Sequence, residues 1–185
     1  MSDVGAAIDR RVVRSRTAMR DAFNKLLLTR GYNAIGPADI AAAADVGRST
    51  FYTHYRSKEA VFAESVVVIL NPLANMVASE TVESIGERVV QHLWNNRRLA
   101  AQLMANPCRK VMCRVLTELL EERLGQGEGR FMIPVALLAS QIAHGQLAAL
   151  DGWLTGRHAC AAGAVARALH LTARATVAAA AQAPA

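Results

Sequence analysis

Six of the seven residues from Arg48 to His54 carry a side chain that can hydrogen-bond: Arg48, Ser49, Thr50, Tyr52, Thr53 and His54. Arginine offers a bidentate fork that matches the O6 and N7 acceptors of guanine, and serine and threonine donate to phosphate oxygens or base edges. Phe51 and Tyr55 stand four apart. On a helix that spacing puts both on one face, so they anchor inward and leave the polar residues to the exposed face and its margins. Lys58 stands at the start of a following helix, where free N–H groups already favour a phosphate. Each residue alone has a plainer reading: His54 as a packing histidine, Tyr52 as half-buried core, Thr50 as a partner of a helix-terminal backbone group, Arg48 as a solvated charge. The order and spacing of the whole set favour contact with a nucleic acid.

The elements that must position this set are short. One helix opens at Gly36-Pro37, with proline at its first helical position and Asp39 in its first turn complementing the dipole, and runs to Ala44. Asp45-Val46-Gly47 form a three-residue turn, and the next helix spans Arg48 to His54 or Tyr55. Upstream, Ala18, Met19, Ala22, Phe23, Leu26 and Leu27 draw one apolar stripe on a helix expected over Val12–Thr29, which Gly31 ends. Downstream, Ser57 caps a helix from Lys58 to about Leu70, closed by Asn71-Pro72. Two short helices joined by a three-residue turn behind a basic helix make a helix-turn-helix.

Charge agrees with that placement. Residues 1–60 hold ten Lys or Arg against six Asp or Glu, and the remaining 125 hold eleven against nine. Positive charge is thus concentrated where a polyanion would be met. Of 185 residues 52 % are hydrophobic but only 5 % aromatic, and much of the apolar fraction is alanine. That composition favours helix, and β-formers nowhere alternate cleanly. No window approaches 18 uncharged apolar residues, so no transmembrane span is expected. The arginine-rich first twenty residues lack the apolar core of a secretory signal. Cys108, Cys113 and Cys160 are then expected reduced, in a cytoplasmic protein.

Beyond residue 80 the pattern stays helical: about Val82–Met104 with a break near Asn95-Asn96, Pro107–Leu124, Met132–Leu154 and Ala159–Ala180. Gly125-Gln126-Gly127-Glu128-Gly129 is the clearest linker. The fold class is all-α, with an N-terminal three-helix helix-turn-helix DNA-binding domain over 1–60 and a C-terminal helical regulatory and dimerisation domain over 61–185.

Residues 10–62 resemble the DNA-binding domain of the TetR family of transcriptional regulators. The matching residues are Arg30-Gly31-Tyr32, Asp39-Ile40-Ala41, the run from Val46 through Tyr55, and Ser57-Lys58-Glu59-Ala60-Val61-Phe62. The resemblance implies that Arg48, Ser49, Thr50 and Thr53 occupy base-reading or groove-lining positions, and that Tyr52, His54 and Lys58 occupy phosphate-clamping ones. Three departures bear on this. Asp45 stands where the family has glycine, Gly47 where it has a Ser or Thr cap, and Gly36-Pro37 where it has a hydroxyl-bearing helix start. Asp tolerates left-handed backbone better than most residues. Ala38 leaves the preceding helix without a base-reading side chain, so discrimination should rest on the helix from Arg48.

The resemblance further implies a dimer through the last two helices, whose Gly145, Gly163 and many alanines permit close helix approach. Trp94, Met104, Met112 and Trp153 are candidate lining residues of a small-molecule pocket, though Met and aromatic residues at helical spacing also make ordinary core. No metal-ligand spacing, phosphate loop or nucleophile elbow occurs. The expectation is a non-enzymatic regulator without cofactor or metal, binding a double-stranded DNA operator as a homodimer and released by a small-molecule inducer. The other reading is a helical carrier or enzyme whose basic arm is incidental.

Overall fold

The computed structural model describes residues 2–77, 83–126 and 130–182. Nine α-helices follow one another among them: α1 (Ser2–Arg30), α2 (Pro37–Ala43), α3 (Arg48–His54), α4 (Lys58–Asn75), α5 (Glu83–Asn95), α6 (Arg97–Leu103), α7 (Cys108–Gly125), α8 (Val135–Leu154) and α9 (Ala162–Ala180). None of the described helices is long and apolar enough to cross a membrane. The chain divides into two compact units, Met1–Val66 and Val67–Ala185, with the division inside α4.

In the first unit α2 and α3 have seven residues each. Two turns are too few for a stable helix in water, so packing must hold them. Ile40 and Phe51 supply it, both fully buried with Met19, Phe23, Val61 and Phe62. The rings of Phe23, Tyr32 and Phe62 form one cluster, with centroids 5.3–6.4 Å apart. Gly31 ends α1 at φ 72°, its N–H donating to the Leu27 carbonyl at 3.1 Å. A 3-10 turn over Tyr32–Ala34 then leads to α2, opened by the Gly36 N–H donating to the Asp39 carboxylate at 2.8 Å.

The turn between α2 and α3 keeps its form with Asp45 in the glycine position. Asp45 lies at φ 53°, its N–H donates to the Ala42 carbonyl, and the Val46 N–H reaches the Ala41 carbonyl at 3.0 Å. That pair of bonds around one left-handed residue is a Schellman stop.

A carboxylate ties α4 to α1 and to the end of α3. Glu64 accepts from Arg16 at 2.6 Å and from the Tyr55 hydroxyl at 2.8 Å, with Arg20 at 3.6 Å. Burial alone would raise the Glu64 carboxyl, but the Arg16 and Tyr55 hydrogen bonds and the two arginine charges outweigh it and hold it below its ordinary value. Burial, followed by the bond to Glu64, pushes the Tyr55 hydroxyl up.

The second unit is built on α7, α8 and α9, with α5 packed along α9 and α6 against α8. Leu116, Leu120, Leu138, Leu147 and Leu150 are fully buried at its centre. The second half of α4 is pinned by polar side chains. Arg123 donates to Asn75 at 2.8 Å and Asn71 at 2.7 Å, and Gln146 donates to the Leu73 carbonyl at 3.2 Å.

Four boundaries differ from the sequence expectation. α1 begins at Ser2 rather than near Val12, because an apolar stripe marks where a helix packs, not where it starts. Pro72 lies inside α4 rather than closing it. Proline frees the carbonyl four residues back, that of Val68. Val68 is 74 % exposed, so the break falls on the solvent side of the helix, while buried Leu70, Leu73 and Ala74 and the Arg123 clamp hold the helix on. α8 starts at Val135 and α9 at Ala162, each about three residues late. The break between α5 and α6 falls at Asn96 as expected. Of the glycine-rich linker, residues 127–129 lie outside the described residues, as do residues 183–185.

Two stability outcomes follow. Asp45→Val should cost about 1–2 kcal/mol, the penalty of a left-handed β-branched residue, whereas Asp45→Gly should be neutral or slightly stabilising; thermal unfolding by circular dichroism reads both. Glu64, with its folded pKa depressed, contributes stability above the ordinary carboxylate pKa and loses it as pH falls through the folded value. Glu64→Gln should therefore lose up to about 1 kcal/mol at pH 7, the scale of a partly exposed ion pair. In urea titrations the gap to the unsubstituted protein should close below about pH 4.

Candidate nucleic-acid interface

The site is one side of α3. Gly47 caps the helix with extended backbone and no side-chain bond, so the cap that serine or threonine would provide is absent. Phe51 is 0 % and Tyr55 4 % exposed. Their burial fixes the rotation of α3, and the Tyr55 N–H closes the last turn on the Phe51 carbonyl at 2.8 Å.

With that face inward, Arg48, Ser49, Tyr52 and Thr53 are exposed, and Thr50 and His54 lie at the margins. Arg48 makes no ion pair or hydrogen bond among the described residues, which leaves its fork available. Tyr52 stands edge-on against Phe51 with centroids 5.4 Å apart, yet remains 59 % exposed, so its ring is braced and its hydroxyl is outside. The plain reading of Tyr52 as core therefore fails. The Thr53 hydroxyl donates back to the Ser49 carbonyl at 2.9 Å. The hydroxyl keeps its capacity to accept.

Lys58 is placed differently from its neighbours. Its ammonium donates to the carbonyls of Tyr32 at 3.0 Å and Ile35 at 2.9 Å, and lies 4.4 Å from the centroid of the Tyr32 ring. Arg16 and Arg20, two of the ten basic residues of 1–60, are engaged by Glu64. Sequence reading also passed over Arg56, which is exposed just beyond α3. Its signal was a lone cation in the stretch between two helices.

The four candidate pocket residues separate. The rings of Trp94 and Trp153 stack with centroids 4.7 Å apart, Arg97 lies over Trp94, and the Trp153 indole donates to the Cys160 carbonyl at 3.0 Å. Met104 and Met112 are buried at the end of α6 and on α7. Trp153 also lines an open apolar groove of about 490 Å³ along α8 and α9, with Gly145, Ala149, Ala164, Ala168 and Thr172. Gly163, expected to serve close approach between subunits, faces α5 instead: an added Cβ would lie 2.8 Å from Glu87 Oε1. Cys108 and Cys113 are buried, and burial pushes the Cys113 thiol up against the opposing charge of Arg109, the reverse of an activated thiolate. Among the described residues no group of three His, Cys, Asp or Glu is arranged to hold a metal.

Comparison with known proteins covers the same region. Residues 20–65 match the family model described as bacterial regulatory proteins, tetR family. The chain is 45 % identical over 53 residues to the uncharacterized HTH-type transcriptional regulator YxbF of Bacillus subtilis, covering 28 % of this chain and 14 % of that protein. It is 28 % identical over 92 residues to the HTH-type transcriptional regulator AlkX of Mycobacterium tuberculosis, covering 50 % and 44 %. The chain thus spans less than half of either relative. In fold it is similar to a TetR transcriptional regulator from Streptococcus agalactiae, with a TM-score of 0.59 at 24 % identity over 91 % of this chain and 98 % of the other. In its N-terminal helix-turn-helix the chain is thus similar to the tetR family of bacterial regulatory proteins, and in fold to a solved member of it.

Proposed function

We propose that the protein is a cytoplasmic, non-enzymatic DNA-binding transcriptional regulator, a repressor that holds a palindromic operator as a homodimer and releases it on binding a small molecule. The observation that carries this is the outward face of α3, where an unpaired arginine, hydroxyl groups and a braced tyrosine stand opposite a fully buried Phe51. A carrier or enzyme with an incidental basic arm is not favoured, because the family match runs through the helix-turn-helix itself.

On this reading Arg48, Ser49, Thr50 and Thr53 face base edges in the major groove. Arg48 suits guanine, and the threonine methyls suit the methyl of thymine. Tyr52 and His54 suit the flanking phosphates, which set register without carrying sequence. A two-fold dimer places one α3 on each half-site of an inverted repeat.

The surface for that dimer is the exposed side of α8 and α9. It presents Leu137, Gly145, Ala148 and Ala149 on one helix and Ala164, Ala168, Leu171 and Ala175 on the other. Small residues allow close helix approach, and an apolar exposed face of this extent suits a self-complementary partner. For the inducer, the stacked rings of Trp94 and Trp153 suit a largely hydrophobic compound. Release of DNA by a factor of 100 requires about 2.7 kcal/mol of coupling, and operator DNA must weaken ligand binding by the same factor.

Arg48→Ala should cost about 1–3 kcal/mol on the operator and relax preference at one position. Affinities on cognate and scrambled duplexes measure it, and equal losses on both would remove Arg48 from the reading set. Gly145 has nothing within 4 Å of an added Cβ, so a bulky side chain there is tolerated inside the subunit. Gly145→Trp should therefore keep its helical circular dichroism while sedimenting as a monomer. A dimer of unchanged stability would place the interface elsewhere.

A further inference from the structure

We propose that Lys58 is a positioning residue: its ammonium holds the connection between α1 and α2, and it acts on DNA only through the helix that this connection supports. The consequence for DNA rests on the function proposed above; the geometry does not.

An ammonium has three donors and no acceptor. Two of those of Lys58 go to the carbonyls of Tyr32 and Ile35, at 3.0 and 2.9 Å, and the Tyr32 ring covers the cation at 4.4 Å. The carbonyls belong to two residues that are themselves buried. The Tyr32 carbonyl also accepts from the Ile35 N–H at 3.3 Å, so the 3-10 turn curls around the cation. The neighbouring Glu59 holds the far end of the same tyrosine, accepting from its hydroxyl at 3.0 Å. The first turn of α4 thus grips Tyr32 at its ring, its carbonyl and its hydroxyl.

What this grip positions follows from the chain. Ile35 is followed at once by Gly36, whose N–H opens α2 on the Asp39 carboxylate. In a helix-turn-helix the first of the two helices crosses the DNA backbone and the second enters the groove, so the start of α2 is where a small displacement would misplace both. If the ammonium swung out to a phosphate it would leave two carbonyls and an aromatic face and strand the buried carbonyl of Ile35 without its partner. A compact cation with tetrahedral donors suits this cradle, and a planar guanidinium does not.

The full-length chain, Lys58→Met and Lys58→Arg supply the test, with thermal unfolding and amide hydrogen exchange in the absence of DNA and affinity for mixed-sequence duplex at several salt concentrations. Lys58→Met should unfold at a lower temperature and exchange the amides of residues 31–40 at least tenfold faster. Its DNA affinity should fall while the slope of log K against log salt stays as in the unsubstituted protein, and Lys58→Arg should restore neither. In the unsubstituted protein the Lys58 ammonium should give slowly exchanging NMR signals in contact with the Tyr32 ring, unchanged on adding duplex. A phosphate contact would give the opposite: unchanged unfolding and exchange, a slope reduced by about 0.9, recovery in Lys58→Arg, and an ammonium signal that moves with DNA. Those results would overturn the proposal, and the NMR arm decides it even if Lys58→Met does not fold. Absence of any DNA binding by the unsubstituted chain would count against the regulator reading, while the exchange and ammonium signals would still judge the cradle.

Discussion

A helix of seven residues has no stability of its own in water, and everything proposed for this protein depends on how α3 is held. Phe51 carries that burden. Its ring is fully buried, and Tyr55, one turn later, is nearly so. Because the two lie on one face, burying them decides which side chains look outward; the choice of Arg48, Ser49, Tyr52 and Thr53 as the exposed set is a consequence of core packing. The turn before α3 serves the same end, since the left-handed Asp45 stops α2 and lets the chain reverse within a few residues.

Charge in the first unit divides between folding and display. Residues 1–60 hold ten basic side chains, but Arg16 and Arg20 meet Glu64, Arg30 meets Asp39 at 3.3 Å, and Lys58 meets two carbonyls. Arg48 and Arg56 remain exposed around α3. Phosphate neutralisation sets the affinity of nonspecific binding, and on the function proposed above the cations engaged in folding contribute little to it. Two linked half-sites then matter more, because the second contact is made at high effective concentration. The apolar sides of α8 and α9 suit that requirement.

The helix order of the chain was legible because its signals are local. Gly31 at φ 72°, the proline opening α2 and the Asp45 turn are positions where one residue type fixes one backbone state. The break at Asn96 and the inward pair of Phe51 and Tyr55 were legible for the same reason. What the sequence hid was long-range. Pro72 continues a helix because Asn71 and Asn75 are held by Arg123, 52 and 48 residues away. Gly163 faces Glu87, and Lys58 turns toward Tyr32 and Ile35, 26 and 23 residues back. A lysine at a helix start and a glycine in an alanine-rich helix each have several possible partners, and spacing along the chain does not select among them. The candidate ligand residues were the least legible, since a buried methionine serves a core and a pocket equally well.

The central claim is that the outward face of α3 reads DNA sequence in two symmetric copies. Selection of bound fragments from a pool of random duplexes, followed by sequencing, tests it most directly. The account predicts enrichment of an inverted repeat whose half-sites fall on successive major grooves, with a strongly preferred G·C pair in each half-site opposite Arg48. A pool that stays random after repeated rounds, or one that converges on a single unrepeated motif, would contradict it.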